Sequence, residues 1–113
     1  MDINYQLKPE KERRTEPFTP TGNLGFGQKR TDHIFLMDFE NGEWIDPRII
    51  PYQNLSLAPG AMCIHYGQAI FEGAKAFMHE DDEIYTFRLD KNAERLNNSA
   101  NILCMPNISV KVQ

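Results

Sequence analysis

The adjacent pair Asn41-Gly42 constrains this chain more than any other feature. Both residue types tolerate the left-handed backbone of a two-residue hairpin turn, and strand-forming residues flank them. His33-Ile34-Phe35-Leu36-Met37-Asp38-Phe39 reads as the outgoing strand and Glu43-Trp44-Ile45-Asp46 as the returning one. Asp46-Pro47 is expected to end that strand, and Pro51 and Pro59 keep the next segment extended. A second hairpin has the same logic. Ala74 to Met78 forms one arm, the charged run His79-Glu80-Asp81-Asp82-Glu83 the turn, and Ile84 to Leu89 the other arm.

Helical signals come later. Asp90 stands where an N-cap would, ahead of a helix expected to reach about Cys104. Ala93, Leu96, Ala100 and Leu103 recur at helical intervals and define its buried face. Met105-Pro106 closes it, and Ser109 looks like the cap of another helix, of which Val110 to Gln113 are the start. A short helix is expected over Gly67 to Glu72. The polar segment 1–20, with KPEKERR and three prolines, reads as a solvated arm, although the alternation from Asp2 to Leu7 permits a short edge strand. Domain organisation is therefore an arm over 1–20 and a partial domain over 21–113. The glycine-rich turn at Gly22 to Gly27 matches neither dinucleotide-binding nor P-loop spacing, which argues against phosphate binding there.

Composition narrows the class. A chain of 113 residues with 41% apolar and 25% charged residues is one soluble domain at most. The net charge of −4 and the lack of a basic stripe speak against nucleic acid. No apolar run has the length of a membrane span, and the amino terminus lacks the apolar core of a signal peptide. A cytoplasmic location is expected, which makes Cys63 and Cys104 reduced core thiols. His33, His65 and His79 form no set with metal-ligand spacing, and Cys63-x-His65 alone is too short a pair to make one.

The chemistry-bearing stretch is HYGQAIFEGAKAF (65–77), read together with Arg95. Aromatic walls, glycines that let backbone approach a ligand, and a guanidinium fork describe one side of a pocket for an organic anion. The blocks FGQKRTDHIF (26–35), NLSLAPGAMCIHYGQAIFEGAKAF (54–77) and FRLDKNAERLNNSANILCMP (87–106) resemble the branched-chain amino-acid aminotransferases, pyridoxal-phosphate enzymes of fold type IV. The likeness runs from about Phe26 to Pro106. A lone FEG also suits D-amino-acid aminotransferases and aminodeoxychorismate lyases, but the longer phrase, with TDH before it and N-x-x-R-x-x-x-SA after it, favours the branched-chain group. Members of that family are about three times as long, so the resemblance implies an amino-terminal piece of such an enzyme.

By that resemblance the fold is α+β, with antiparallel hairpins and helices packed on one face, like the small domain of fold-type IV enzymes. Arg95 matches the arginine that holds the cofactor phosphate; read without the family, it is an exposed helix arginine paired with a carboxylate. Tyr66 and Phe71 match side chains lining the substrate pocket, and Gly73 its glycine; otherwise they are core aromatics and a turn glycine. Thr31-Asp32-His33 is expected to hydrogen-bond at the strand start and to take no direct part in the chemistry. The reaction implied is amino transfer from leucine, isoleucine or valine to 2-oxoglutarate in a homodimer. Two departures from the family pattern are Lys29-Arg30, where apolar residues are usual, and FRL in place of FRP. A stand-alone binding or dimerisation module is the alternative from another class.

None of the six lysines, Lys8, Lys11, Lys29, Lys75, Lys91 and Lys111, matches the Schiff-base lysine of the family. The 113-residue chain alone, given pyridoxal phosphate, leucine and 2-oxoglutarate, is accordingly expected to form no glutamate. Turnover at an ordinary enzyme rate, lost on changing one of those lysines, is the contrary result.

Overall fold

Asn41 and Gly42 adopt φ values of 51° and 88°, the turn their residue types anticipate. They are seen in a computed structural model that describes residues 2–14 and 25–111. The chain is α+β and divides into two units, Met1–Ser56 and Leu57–Gln113.

The first unit is a three-stranded sheet. Strand β1 (Asn4–Tyr5) pairs parallel to β3 (Glu43–Pro51), which pairs antiparallel to β2 (His33–Glu40), giving the order β1-β3-β2. The sheet is thus mixed rather than purely antiparallel. Part of the segment read as a solvated arm supplies its edge strand. The arm is fastened at the TDH motif: Lys8 N–H donates to His33 Nε2 at 3.0 Å and Arg14 N–H to Asp32 at 2.7 Å. Thr31 Oγ1 donates to the His33 carbonyl at 2.7 Å, the strand-start role expected of the motif. The Arg14 N–H, joined by Lys8, holds the Asp32 carboxyl below its ordinary range.

Strand β3 does not end at Pro47. Leu36 pairs with Arg48 and Asp38 with Ile45, so β3 carries one extra residue across Asp46-Pro47, a β-bulge. The bulge accommodates a residue with no N–H to give the ladder, and Asp46 adopts φ 49° there. Arg48 Nη1 stitches the irregularity by donating to Asp38 Oδ2 at 2.7 Å and to Asp46 Oδ2 and its carbonyl at 2.9 Å. Past the bulge, Ile50 is buried. The Phe39 and Trp44 rings meet edge to face at 5.1 Å beside the turn.

The second unit holds helix α1 (Met62–His65), the hairpin β4 (Ala76–Met78) with β5 (Ile84–Thr86), and helix α2 (Leu89–Ile102). The expected helix over 67–72 is absent. A single helical turn precedes it, and Gly67 at φ 61° ends that turn in the left-handed conformation. Residues 67–75 form a loop. Strand β5 stops at Thr86, short of the expected Leu89, because Arg88 turns left-handed at φ 48° and caps α2 itself. Asp90 is therefore inside the first helical turn, where its charge complements the helix dipole.

At its far end, α2 closes with Met105 N–H donating to the Ala100 carbonyl at 2.8 Å and Cys104 N–H to that of Asn101 at 3.2 Å. This is a Schellman cap with Cys104 in the left-handed position, φ 54°. Cys104 and Cys63 are free and exposed, not core thiols: one serves a helix end, the other a one-turn helix with no buried residue. Ala93 and Ala100 are buried on the expected face, while Leu96 is half-buried and Leu103 exposed. No helix forms from Ser109 to Lys111; Val112 and Gln113, like Gly22, Asn23 and Leu24 of the glycine-rich turn, lie outside the described residues. Among the described residues no helix is long and apolar enough to cross a membrane.

A Cβ on Gly42 would meet nothing within 4 Å, so a substitution there tests backbone conformation alone. Gly42→Ala is expected to lower the stability of the sheet unit by about 1–2 kcal/mol, and Asn41→Gly to leave it nearly unchanged. Urea unfolding followed by the single tryptophan, Trp44, reads both. An unchanged midpoint for Gly42→Ala would mean the turn does not need a left-handed residue.

Candidate functional site

The candidate residues Tyr66, Phe71, Gly73 and Arg95 all fall in the second unit. Tyr66 caps α1, Phe71 and Gly73 belong to the 67–75 loop, and Arg95 lies on α2. The open stretch after Gly67 is what lets this sequence leave the one-turn helix and pass along α2 without forming a helix itself.

Glu72 joins the loop to the helix. Arg95 donates to it twice, from Nε to Oε2 at 2.7 Å and from Nη2 to Oε1. Asn92 Nδ2 donates to Glu72 Oε1 at 3.1 Å and to the Gly73 carbonyl at 2.7 Å, and Gly73 N–H donates to Glu72 Oε1 at 3.0 Å. Asn92 and Arg95 are three residues apart on one helix, which brings both side chains to one carboxylate. Arg95 is foremost in holding the Glu72 carboxyl down to about 2, from its usual 4.5, with Asn92 and the Gly73 N–H adding to it. The Glu72 charge in turn raises the Arg95 guanidinium above its ordinary value.

The two ends of this pair differ in exposure. The Glu72 side chain is 13% exposed and that of Arg95 67%. An arginine carries five N–H donors, and Glu72 takes two of them. Three remain for an anion, which is what the planar fork of arginine is suited to bind.

One further tie braces the loop, Gln68 Nε2 donating to the Leu103 carbonyl at 2.8 Å, while His65 Nε2 donates to the Pro59 carbonyl at 2.6 Å in the stretch before it. The structure thus gathers Gly73 and Arg95 around one carboxylate. It does not join Tyr66 or Phe71 to that network; both are exposed, Phe71 at 93%, so neither is a core aromatic of the chain. Arg95 does have the carboxylate partner that a plain surface arginine would have, and the partner is Glu72 rather than the neighbouring Glu94, which Lys91 holds at 2.7 Å. Lys75 and the Lys29-Arg30 pair are exposed.

Sequence reasoning passed over Glu72 and Asn92. Asn92 was signalled by the N-x-x-R spacing. Glu72 had the weaker sign of a lone carboxylate between Phe71 and Gly73, with its partners about twenty positions away.

No family model matches the chain. Among curated proteins it is 49% identical over 107 residues to "Branched-chain-amino-acid aminotransferase 2" of Bacillus subtilis (strain 168), covering 94% of this chain and 28% of that protein. To a "Probable branched-chain-amino-acid aminotransferase" of Staphylococcus epidermidis it is 41% identical over 94% of this chain and 30% of the relative. The yeast "Branched-chain-amino-acid aminotransferase, cytosolic" is 45% identical over 77% of this chain and 23% of its own length. The chain thus spans between about a quarter and a third of the length of the relatives it matches.

The network has a pH signature. The Glu72 pair contributes stability that is fully present above about pH 4.5 and lost as pH falls through about 2. The Glu72 carboxyl carbon signal is expected to titrate near 2 and, in Arg95→Ala, to move up part of the way to 4.5, since Asn92 and Gly73 stay in place. An ordinary carboxylate midpoint in the parent protein would mean the pair does not form in solution.

Proposed function

We propose that this chain, similar over nearly all of its length to branched-chain aminotransferases, is the amino-terminal part of such an enzyme. The enzyme moves the amino group of leucine, isoleucine or valine to 2-oxoglutarate with pyridoxal phosphate as cofactor, in the cytoplasm and as a homodimer. The segment from 21 to 113 belongs to its small domain, of the fold-type IV kind.

The observation that carries the reading is the match of 49% identity over 94% of the chain, together with an exposed Arg95 that keeps three N–H donors after pairing with Glu72. The residues present fit a phosphate: the donors are charged and accessible, and the neighbouring Gly73 has open space within 4 Å of where a Cβ would stand. Bound, the cofactor supplies an electron-withdrawing ring that labilises bonds at the substrate's α-carbon. The chain's own residues bind and orient. Arg95 holds the phosphate by parallel charge-assisted hydrogen bonds. Gly73 lets the loop backbone come close to the ligand, and Tyr66 and Phe71 offer apolar surface that accepts a branched aliphatic side chain and excludes water.

The exposed apolar residues support the same reading. Tyr66, Phe71, Phe77, Met78, Ile84, Phe87 and Ile102 are all exposed, far more than a small unit leaves bare without something to cover it. In the proposed enzyme a second domain and a second subunit cover them.

In the full-length protein, Arg95→Ala is expected to weaken pyridoxal-phosphate binding by about ten- to a hundredfold, and Arg95→Lys by an intermediate factor, because lysine keeps the charge without the fork. A cofactor titration beside melting of the apoprotein reads both. If both variants bind the cofactor like the parent while the apoprotein melts earlier, Arg95 is a structural ion-pair residue.

A further inference from the structure

Resting on that reading of Arg95, we propose that Glu72 is its positioning residue: from the 67–75 loop it clasps the Nε–Nη2 edge of the guanidinium and leaves the rest of the fork to the cofactor's phosphate. Three observations carry this. Glu72 is the covered end of the pair and Arg95 the open one, at 13% and 67% exposure. The carboxylate has supports of its own, Asn92 Nδ2 and the Gly73 N–H, so its place does not depend on Arg95. And the clasp takes only two of five N–H donors, so carboxylate and phosphate can be held together.

The gain is preorganisation. A free arginine side chain loses rotamer freedom when it grips a ligand, and one already fixed loses less. Against this stands the repulsion between the Glu72 charge and a phosphate, which the intervening guanidinium offsets. The opposite role, in which Glu72 competes with the phosphate for the fork, makes the opposite prediction. Removing its charge would then tighten cofactor binding.

The test measures dissociation constants for pyridoxal phosphate and for unphosphorylated pyridoxal in the full-length protein, with parent, Glu72→Gln, Arg95→Ala and the double variant. Glu72→Gln is expected to weaken pyridoxal-phosphate binding roughly five- to twentyfold and to leave pyridoxal binding within about twofold. In the Arg95→Ala background the same change is expected to cost less than about twofold, because its effect runs through Arg95. Unchanged or tighter pyridoxal-phosphate binding by Glu72→Gln, or equal losses for both ligands, overturns the proposal in favour of a competitor or a simple loop brace. If Arg95→Ala itself leaves pyridoxal-phosphate affinity unchanged, or the parent binds none, the phosphate reading falls first. Where Glu72→Gln does not fold, Glu72→Asp, which keeps the charge but withdraws it by one methylene, takes its place with the same expectations.

Discussion

One carboxylate ties the 67–75 loop of the second unit to α2. Glu72 is nearly covered and stays ionised, and a covered charge persists only where donors surround it. Arg95, Asn92 and the Gly73 N–H are those donors, and in meeting them Glu72 draws the 67–75 loop against α2. The loop has no regular hydrogen bonding of its own, so ties of this kind, with Gln68 on the Leu103 carbonyl, set its course. The proposed cofactor grip at Arg95 and the loop position of Gly73 therefore hang on the same anchor. A shift of that carboxylate would move both.

Burial contributes less than in a self-sufficient domain. Among the described residues the buried apolar side chains are Ile50, Ala93 and Ala100. Two of these are alanines, which have little apolar surface to remove from water. The sheet unit relies on its ladder, its tight turn and the fastening of Lys8 and Arg14 to the TDH motif. The helix–loop unit relies on Glu72 and a Schellman cap. Large apolar side chains remain on the surface of both, in keeping with a chain that completes its packing against more of the proposed enzyme.

Several differences between the expected and the observed elements share a cause, the left-handed backbone of single residues. Gly67 stops α1 early and keeps 67–72 out of a helix, Arg88 takes the cap position assigned to Asp90, and Asp46 lets β3 run through Pro47 by way of a bulge. A glycine advertises this conformation. Arginine and cysteine do not, and the conformations of Arg88 and Cys104 follow from where the neighbouring elements must go.

Turn chemistry, two-residue alternation and helical spacing are local properties, so the two hairpins and the helix over most of 89–102 were legible in the residues alone. The motif around Arg95, Tyr66, Phe71 and Gly73 likewise marked them as candidates and carried the family resemblance. Which partner Arg95 keeps, that Gly73 shares it, and that the two cysteines are exposed emerged with the folded chain. A side chain's exposure and its ion-pair partner depend on what the chain brings back beside it from many positions away, and Glu72 and Arg95 are 23 residues apart.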